Sequence, residues 1–136
     1  MQRPFKFRIC YTDQNGKKSI IYSDNNRFLI GLNGKVYENY GKDWKNSMWE
    51  EVFDSYEPPI IQEHTGFIDK NNKPVYEGDI VKIDAKNHSM ILGQVIFYDF
   101  GWVLLECSES SIPFCYLIKE EIEVVGNIFE HNNLLK

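Results

Sequence analysis

The stretch "TGFIDKNNKPVYEGDIV", Thr65 to Val81, decides how this chain is read. Its centre is polar and rich in turn formers, and it ends in a β-branched pair. It is either a loop that holds a substrate or a joint around which a small β fold is built. The joint is the better reading. Gly78 permits a turn, Asp79 is suited to accept a hydrogen bond from a nearby backbone N–H, and Ile80-Val81 begin a buried strand. Within the same run, "GFID" and "KPVYEGD" flank Lys70-Asn71-Asn72, which reads as a hairpin tip. Asn tolerates left-handed φ better than most residues, although less easily than Gly.

The same device occurs twice upstream. "KFRICYTD" places Phe7, Ile9 and Tyr11 on one side and Lys6, Arg8 and Cys10 on the other; "QNG" follows, then "KKSIIYSD". "RFLIGL", Asn33-Gly34 and "KVYENY" repeat the pattern. Asn-Gly between β-prone runs is a strong hairpin signal and predicts type I′ turns, with positive φ at both central residues. The three tips are unevenly spaced and do not form a solenoid repeat. One segment reads as helix: Trp49, Val52, Phe53 and Tyr56 share a face, Ser47 and Glu50 suggest a capping box, and Pro58-Pro59 stop it. Two turns of helix do not persist alone, so this one is expected to dock on the sheets.

Strands are expected near 60–64, 67–69, 74–76, 79–84, 90–98, 102–107, 112–118 and 122–128. Five of them, closely spaced from Asp79 to Ile128, suit a small, strongly bent SH3-like barrel, with a small sandwich as the alternative. Gly93 inside a strand marks a bulge or bend. The expected fold is therefore mainly β with minor α. Residues 1–57 form N-terminal hairpins with one short helix, and 58–136 form an SH3-like barrel region, together one compact unit.

The chain has 136 residues and a net charge of −5. A single core suffices at this length. Cys10, Cys107 and Cys115 are odd in number and lack CxxC spacing, which favours reduced thiols over a disulfide framework. Cys107 and Cys115 read as small apolar fillers. "MQRPFKFRIC" has no apolar signal region, and the most apolar run is shorter than the ~20 residues needed to span a bilayer. A soluble, cytoplasmic protein is expected. The charge is uneven: residues 1–45 hold nine Lys/Arg and four Asp/Glu, a balance of +5, and residues 46–136 hold six and sixteen, a balance of −10.

Several runs together resemble the YopX-like family of phage and prophage proteins. The pattern T-G-[LF]-x-D-K-N-G-K-x-[IV]-Y-E-G-D-I-[VI] is matched by Thr65–Val81, and E-V-[IV]-G-N-I-[YF]-E by Glu123–Glu130, "EVVGNIFE". Lys6-Phe7-Arg8 and "GLNGKVYE", Gly31 to Glu38, also fit, so the resemblance spans nearly the whole chain. Three departures stand out. Asn72 replaces a turn glycine, Pro74 a polar residue, and His64 an aromatic or small polar residue. The resemblance implies a phage or prophage product acting inside a bacterial host and a mainly β fold. It supplies no enzyme activity and no functional residue.

No residue set points to catalysis, and no catalytic, cofactor-binding or metal-binding residue is assigned. Glu77 and Asp79, two positions apart, are a weak metal signal without further oxygen ligands. His64, His88 and His131 have no HxH, HxxxH or CxxC companion. There is no GxSxG, P-loop or GxGxxG. The leading expectation is a non-enzymatic phage accessory protein that self-associates into a homo-oligomer through strand edges and opposed charge. The rival is nucleic-acid binding. In "YENYGKDWKNSMW", Tyr37 to Trp49, aromatics interleave with lysines, as on surfaces where bases stack and ammonium groups meet phosphates. Its candidate contacts are Arg3, Lys6, Arg8, Lys17, Lys18, Lys42, Trp44 and Lys45; the acidic net charge argues against it. A third, minor reading is a small hydrolase using His64 with Glu77 or Asp79.

Overall fold

The computed structural model describes residues 6–23, 28–39, 41, 49–51, 58–84 and 90–135. The protein is mainly β, and its contacts divide it into two units, Met1–Ile61 and Gln62–Lys136.

In the first unit β1 (Phe7–Thr12) pairs antiparallel with β2 (Lys18–Tyr22), with Ile9 opposite Ile21. Strands β3 (Phe28–Ile30), β4 (Val36–Asn39) and β5 (Trp49–Glu51) form a second antiparallel sheet in that order. Phe7, Ile9, Phe28 and Val36 make the core, with Ile21, Ile30 and Ile61 packed against it. The expected alternation along β1 holds only in part. Phe7 and Ile9 are buried, but so are Arg8 and Cys10, so the strand is covered on both faces.

The helix expected from Trp49 does not start there. Trp49–Glu51 is a strand, with Trp49 opposite Asn39 and Glu51 opposite Tyr37; residues 52–57 lie outside the described residues. A two-turn helix is marginal on its own, whereas the edge of β4 offers ready backbone partners.

The second unit continues β6 (Ile60–Ile68) and adds β7 (Pro74–Tyr76), β8 (Asp79–Ile83), β9 (Ile91–Tyr98), β10 (Gly101–Glu106), β11 (Ser111–Pro113), β12 (Ile122–Asn127) and the short helix α1 (Ile128–His131). Five strands form one antiparallel sheet in the order β11-β10-β9-β8-β12, curled into a half-barrel. This is the SH3-like order, in which the last strand returns beside the first. A 3₁₀ turn at Phe114–Tyr116 follows β11. Val75, Val81, Ile83, Val95, Leu104, Phe114, Ile122 and Val124 fill the curl. The bulge expected at Gly93 is absent, since it pairs in regular register with Val81 and Glu106; the glycine serves a close approach instead, as a Cβ there would lie 2.8 Å from Leu105 O.

The strands expected at 60–64 and 67–69 are one strand with an irregularity between His64 and Ile68. Gly66 has φ +90° there. The Thr65 hydroxyl stands in for the interrupted ladder, donating to Val75 O at 2.8 Å and accepting from Phe67 N at 3.1 Å.

Hairpin tips occur where expected, but the turn type differs. At 13–17, 31–35 and 69–73 the first residue's carbonyl accepts from the fourth, and its N–H donates to the fifth residue's carbonyl. Only the fourth residue has positive φ: Gly16 +79°, Gly34 +76° and Asn72 +61°. These are type I turns closed by a left-handed residue, not type I′ turns. Side chains select them. Asp13 Oδ1 accepts from Asn15 N and Lys17 N at 2.8 and 2.9 Å, and Asp69 Oδ1 accepts from Asn71 N and Lys73 N at 2.9 and 2.8 Å. Gly31 has no carboxylate to offer, and Asn33 Oδ1 accepts from Lys35 N instead.

The third tip is also fastened to β12. Asp69 is fully buried, and its second oxygen accepts from Val124 N at 3.0 Å, while Lys70 N donates to Ile122 O at 2.9 Å. Lys70 pairs with Glu123 at 2.9 Å on the surface. That hydrogen bond holds the Glu123 carboxyl below the usual carboxylate range and raises the Lys70 ammonium. The pair's help to stability is present above the unfolded Glu pKa and lost as pH falls through the depressed folded value. Exposure and salt keep it small.

Asp69→Ala leaves three backbone donors without their acceptor. It should cost about 3–4 kcal/mol in chemical denaturation, with Asp69→Asn roughly half as damaging. An Asp69→Ala loss below about 1 kcal/mol would show that the buried carboxylate does not hold the tip to β12. At Gly78, φ is +81° and a Cβ would meet the buried Gln62 Nε2 at van der Waals overlap. Gly78→Ala should therefore cost about 2–3 kcal/mol, and a Gly78→Ala/Gln62→Ala pair should cost less than the sum of the singles. Strict additivity would remove the steric account.

Candidate binding groove

The Glu77-Gly78-Asp79 run is a structural knot. Asp79 is buried, and its Oδ2 accepts from Tyr76 N at 2.8 Å. Gly78 N donates to Val95 O at 2.9 Å, and Gly78 O accepts from Ile128 N at 2.8 Å. Glu77 N donates to Glu63 O. The backbone here joins β6, β9 and the start of α1, and the Asp79 carboxylate is committed to closing the turn. His64 is half-buried with its ring 5.3 Å from Tyr76. None of His64, Glu77 and Asp79 lines the groove described below.

Arg8 is buried at 3% exposure, so it is not available to a phosphate backbone at the surface. Lys6, Lys17 and Lys18 are exposed. Arg3, Lys42, Trp44, Lys45 and His88 lie outside the described residues. His131 Nδ1 accepts from Asn127 N at 3.3 Å. Asn127 caps α1 by accepting from Glu130 N at 2.8 Å and donating to Glu130 Oε1 at 3.2 Å. Among the described residues no group of three or more His, Cys, Asp or Glu is placed to hold a metal ion, and no helix is long and apolar enough to cross a membrane. Cys10 is buried, but Cys107 and Cys115 are exposed and are not apolar fillers. Each sits in or beside a turn, where its side chain leaves the core.

What the fold does assemble is an open groove of about 470 Å³ on the second unit. Phe67, Tyr98, Trp102, Pro113 and Phe114 supply its apolar walls, and Asp99 and Ser111 its polar edge. Phe67 reaches it because the Thr65–Gly66 irregularity re-aims the end of β6. Phe114 is buried beneath, its ring 5.0 Å from Phe67. Trp102 is braced edge-on by Phe97 at 5.1 Å. Pro113 ends β11 and starts the 3₁₀ turn that presents Cys115 at the groove and Tyr116 exposed beyond it.

The β9–β10 connection beside the groove is strained. Tyr98 pairs with Gly101, leaving a two-residue turn, and both Asp99 (φ +50°) and Phe100 (φ +65°) are left-handed. Among the described residues this is the connection with type I′ character, yet it carries Phe where Gly is preferred. A bulky residue at positive φ is an outlier. Phe100 gains no burial in return, being 96% exposed, and Phe97 and Tyr98 are more than half exposed. Backbone strain that persists without compensating packing clusters at binding sites.

Sequence reasoning missed this site because its parts come from three separate stretches. Three short aromatic runs, "GFI", "YDFGW" and "IPFCY", were the available signal.

The family described as YopX protein matches residues 6–136. Among solved structures, YopX from Bacillus subtilis superposes with a TM-score of 0.66 at 18% identity, covering 96% of this chain and 98% of its own. Protein EF1440 from Enterococcus faecalis gives 0.59 at 22% identity, covering 99% and 100%. At these identities the likeness shows a shared fold. A search of curated proteins gives no match.

Phe100→Gly relieves roughly 1–2 kcal/mol of left-handed strain against roughly 0.5–1 kcal/mol of added unfolded-chain entropy. The variant should be unchanged to about 1 kcal/mol more stable by denaturant midpoint. A clear loss of stability would mean that the Phe100 side chain packs within the fold.

Proposed function

This chain belongs to the YopX family, and from that premise we propose that it is a non-enzymatic accessory protein of phage or prophage, working in the cytoplasm of a bacterial host as an interaction module. The observation that carries the reading is the aromatic groove with its neighbouring exposed rings. Tyr98, Phe100 and Tyr116 are 64%, 96% and 79% exposed beside it. Exposed aromatic clusters with a polar edge suit protein recognition, where Tyr, Trp and Phe dominate binding energy. Asp79 and Asp69 are committed to backbone amides, which gives them structural work.

Self-association is part of the proposal. The +5 and −10 balances of residues 1–45 and 46–136 favour contact between unlike ends of two copies, steered by charge and weakened by salt. Such a contact is heterologous, closing into a ring or continuing as a filament.

Light scattering across a concentration series should give a mass above that of one chain at low salt, falling toward it at high salt. A mass of one chain at every concentration and both salts would reject self-association and leave the groove reading standing.

A further inference from the structure

We propose that the groove between the β9–β10 turn and the 3₁₀ turn at 114–116 takes a proline-rich, extended segment of another protein, with a Lys or Arg beside the prolines held at Asp99. This rests on the interaction-module reading and names its partner chemistry.

The argument begins with what the groove cannot offer. Its walls are ladder strands whose backbone groups are already paired. Val103 is matched to Ile96 on one side and Pro113 on the other, and Trp102 to Phe97. The outer edge of the sheet on this side is β11, three residues long and ending in Pro113, which has no N–H to give. Short edges carrying proline resist strand addition. A ligand that relied on main-chain β pairing would find few partners there.

Ring faces and edges are what remain: Tyr98 and Trp102 at one wall, Phe67 and Phe114 beneath, the Pro113 ring at the other. A polyproline II segment suits such a surface. It needs no backbone ladder, its apolar ridges lie against aromatic rings, and its stiffness lowers the entropy lost on docking. The exposed, strained Phe100 stands at the lip, where it can close on a bound segment.

Charge complementarity selects the flank. Asp99 is the carboxylate in the groove's lining, at the turn end. Residues 62–136 carry twelve Asp/Glu and six Lys/Arg, a balance of −6. A basic residue beside the prolines is attracted by both, and an acidic one is repelled.

The test is a titration of the ¹⁵N-labelled full chain with three ten-residue peptides, followed by amide shifts. One has two Pro-x-x-Pro repeats and a flanking Arg; one replaces that Arg with Glu; one replaces every Pro with Ala. The first should shift amides of 98–103 and 111–116 and bind more tightly than the other two. Asp99→Asn should weaken it about three- to fivefold, as expected for an exposed ion pair. Tyr98→Ser and Phe100→Gly, at exposed positions, should weaken it further while thermal unfolding stays cooperative; Trp102 packs on the core and is left intact.

Equal binding of the alanine peptide would overturn the proline inference and leave the interaction reading in place. Indifference to the flanking charge and to Asp99→Asn would overturn the role given to Asp99. Groove shifts that follow protein concentration alone would make a second copy the occupant. No shift with any peptide, together with a mass of one chain throughout, would remove both readings.

Discussion

Two buried carboxylates, Asp69 and Asp79, hold the second unit together by accepting from backbone amides. A carboxylate taken out of water is costly unless its oxygens are satisfied. Here the satisfaction is also the architecture. One oxygen of Asp69 shapes its own turn, and the other reaches Val124, more than fifty residues along the chain. Asp79 closes the Tyr76–Asp79 turn that starts β8, and Gly78 between the two aspartates ties β9 and the start of α1 to it. The two family runs, Thr65–Val81 and Glu123–Glu130, are therefore one structural object. Their side chains read as polar and reactive on paper because polar groups are what a turn needs to fix its amides.

This explains why the fold was largely legible. Turn residues and β-branched runs act locally, so the tips at 13–17, 31–35 and 69–73 and the strands of the curled sheet could be placed from short windows, although the strand expected at 112–118 ends at Pro113 and gives way to a 3₁₀ turn. The failures were non-local. The face shared by Trp49, Val52, Phe53 and Tyr56 has helical spacing, but Trp49 joins β4, a partner ten residues back whose presence no window reports. Type I′ was expected at Asn-Gly, yet Asp13 and Asp69 steer their turns by side-chain bonds two and four residues ahead. In the β9–β10 connection the sheet register dictates a type I′ turn, and Asp99-Phe100 obeys it despite the sequence.

The groove was illegible for a related reason. Phe67, Tyr98, Trp102, Pro113 and Phe114 each look like ordinary core or strand residues in their own windows. Only the curl of the sheet and the bend at Thr65–Gly66 bring them to one surface. Of the basic residues expected to meet nucleic acid, Arg8 is buried and Lys17 and Lys18 sit at an exposed hairpin end, while Arg3, Lys42, Trp44 and Lys45 lie outside the described residues.

Consistency between local preference and global fold is the rule in stable domains, so the places where they disagree carry information. In the second unit the 69–73 and 76–79 turns agree with their sequence: Asn72 and Gly78 stand at the left-handed positions, and Asp69 and Asp79 fix the amides. The 106–110 turn tolerates Glu109 at φ +66° on a polar, exposed tip. The disagreement at Phe100 is of another kind. A large ring occupies a conformation it disfavours, in full solvent, at the lip of the aromatic groove. Folding alone does not favour that choice, since glycine would relieve the strain and forfeit no packing. The docking role proposed for this groove would account for it.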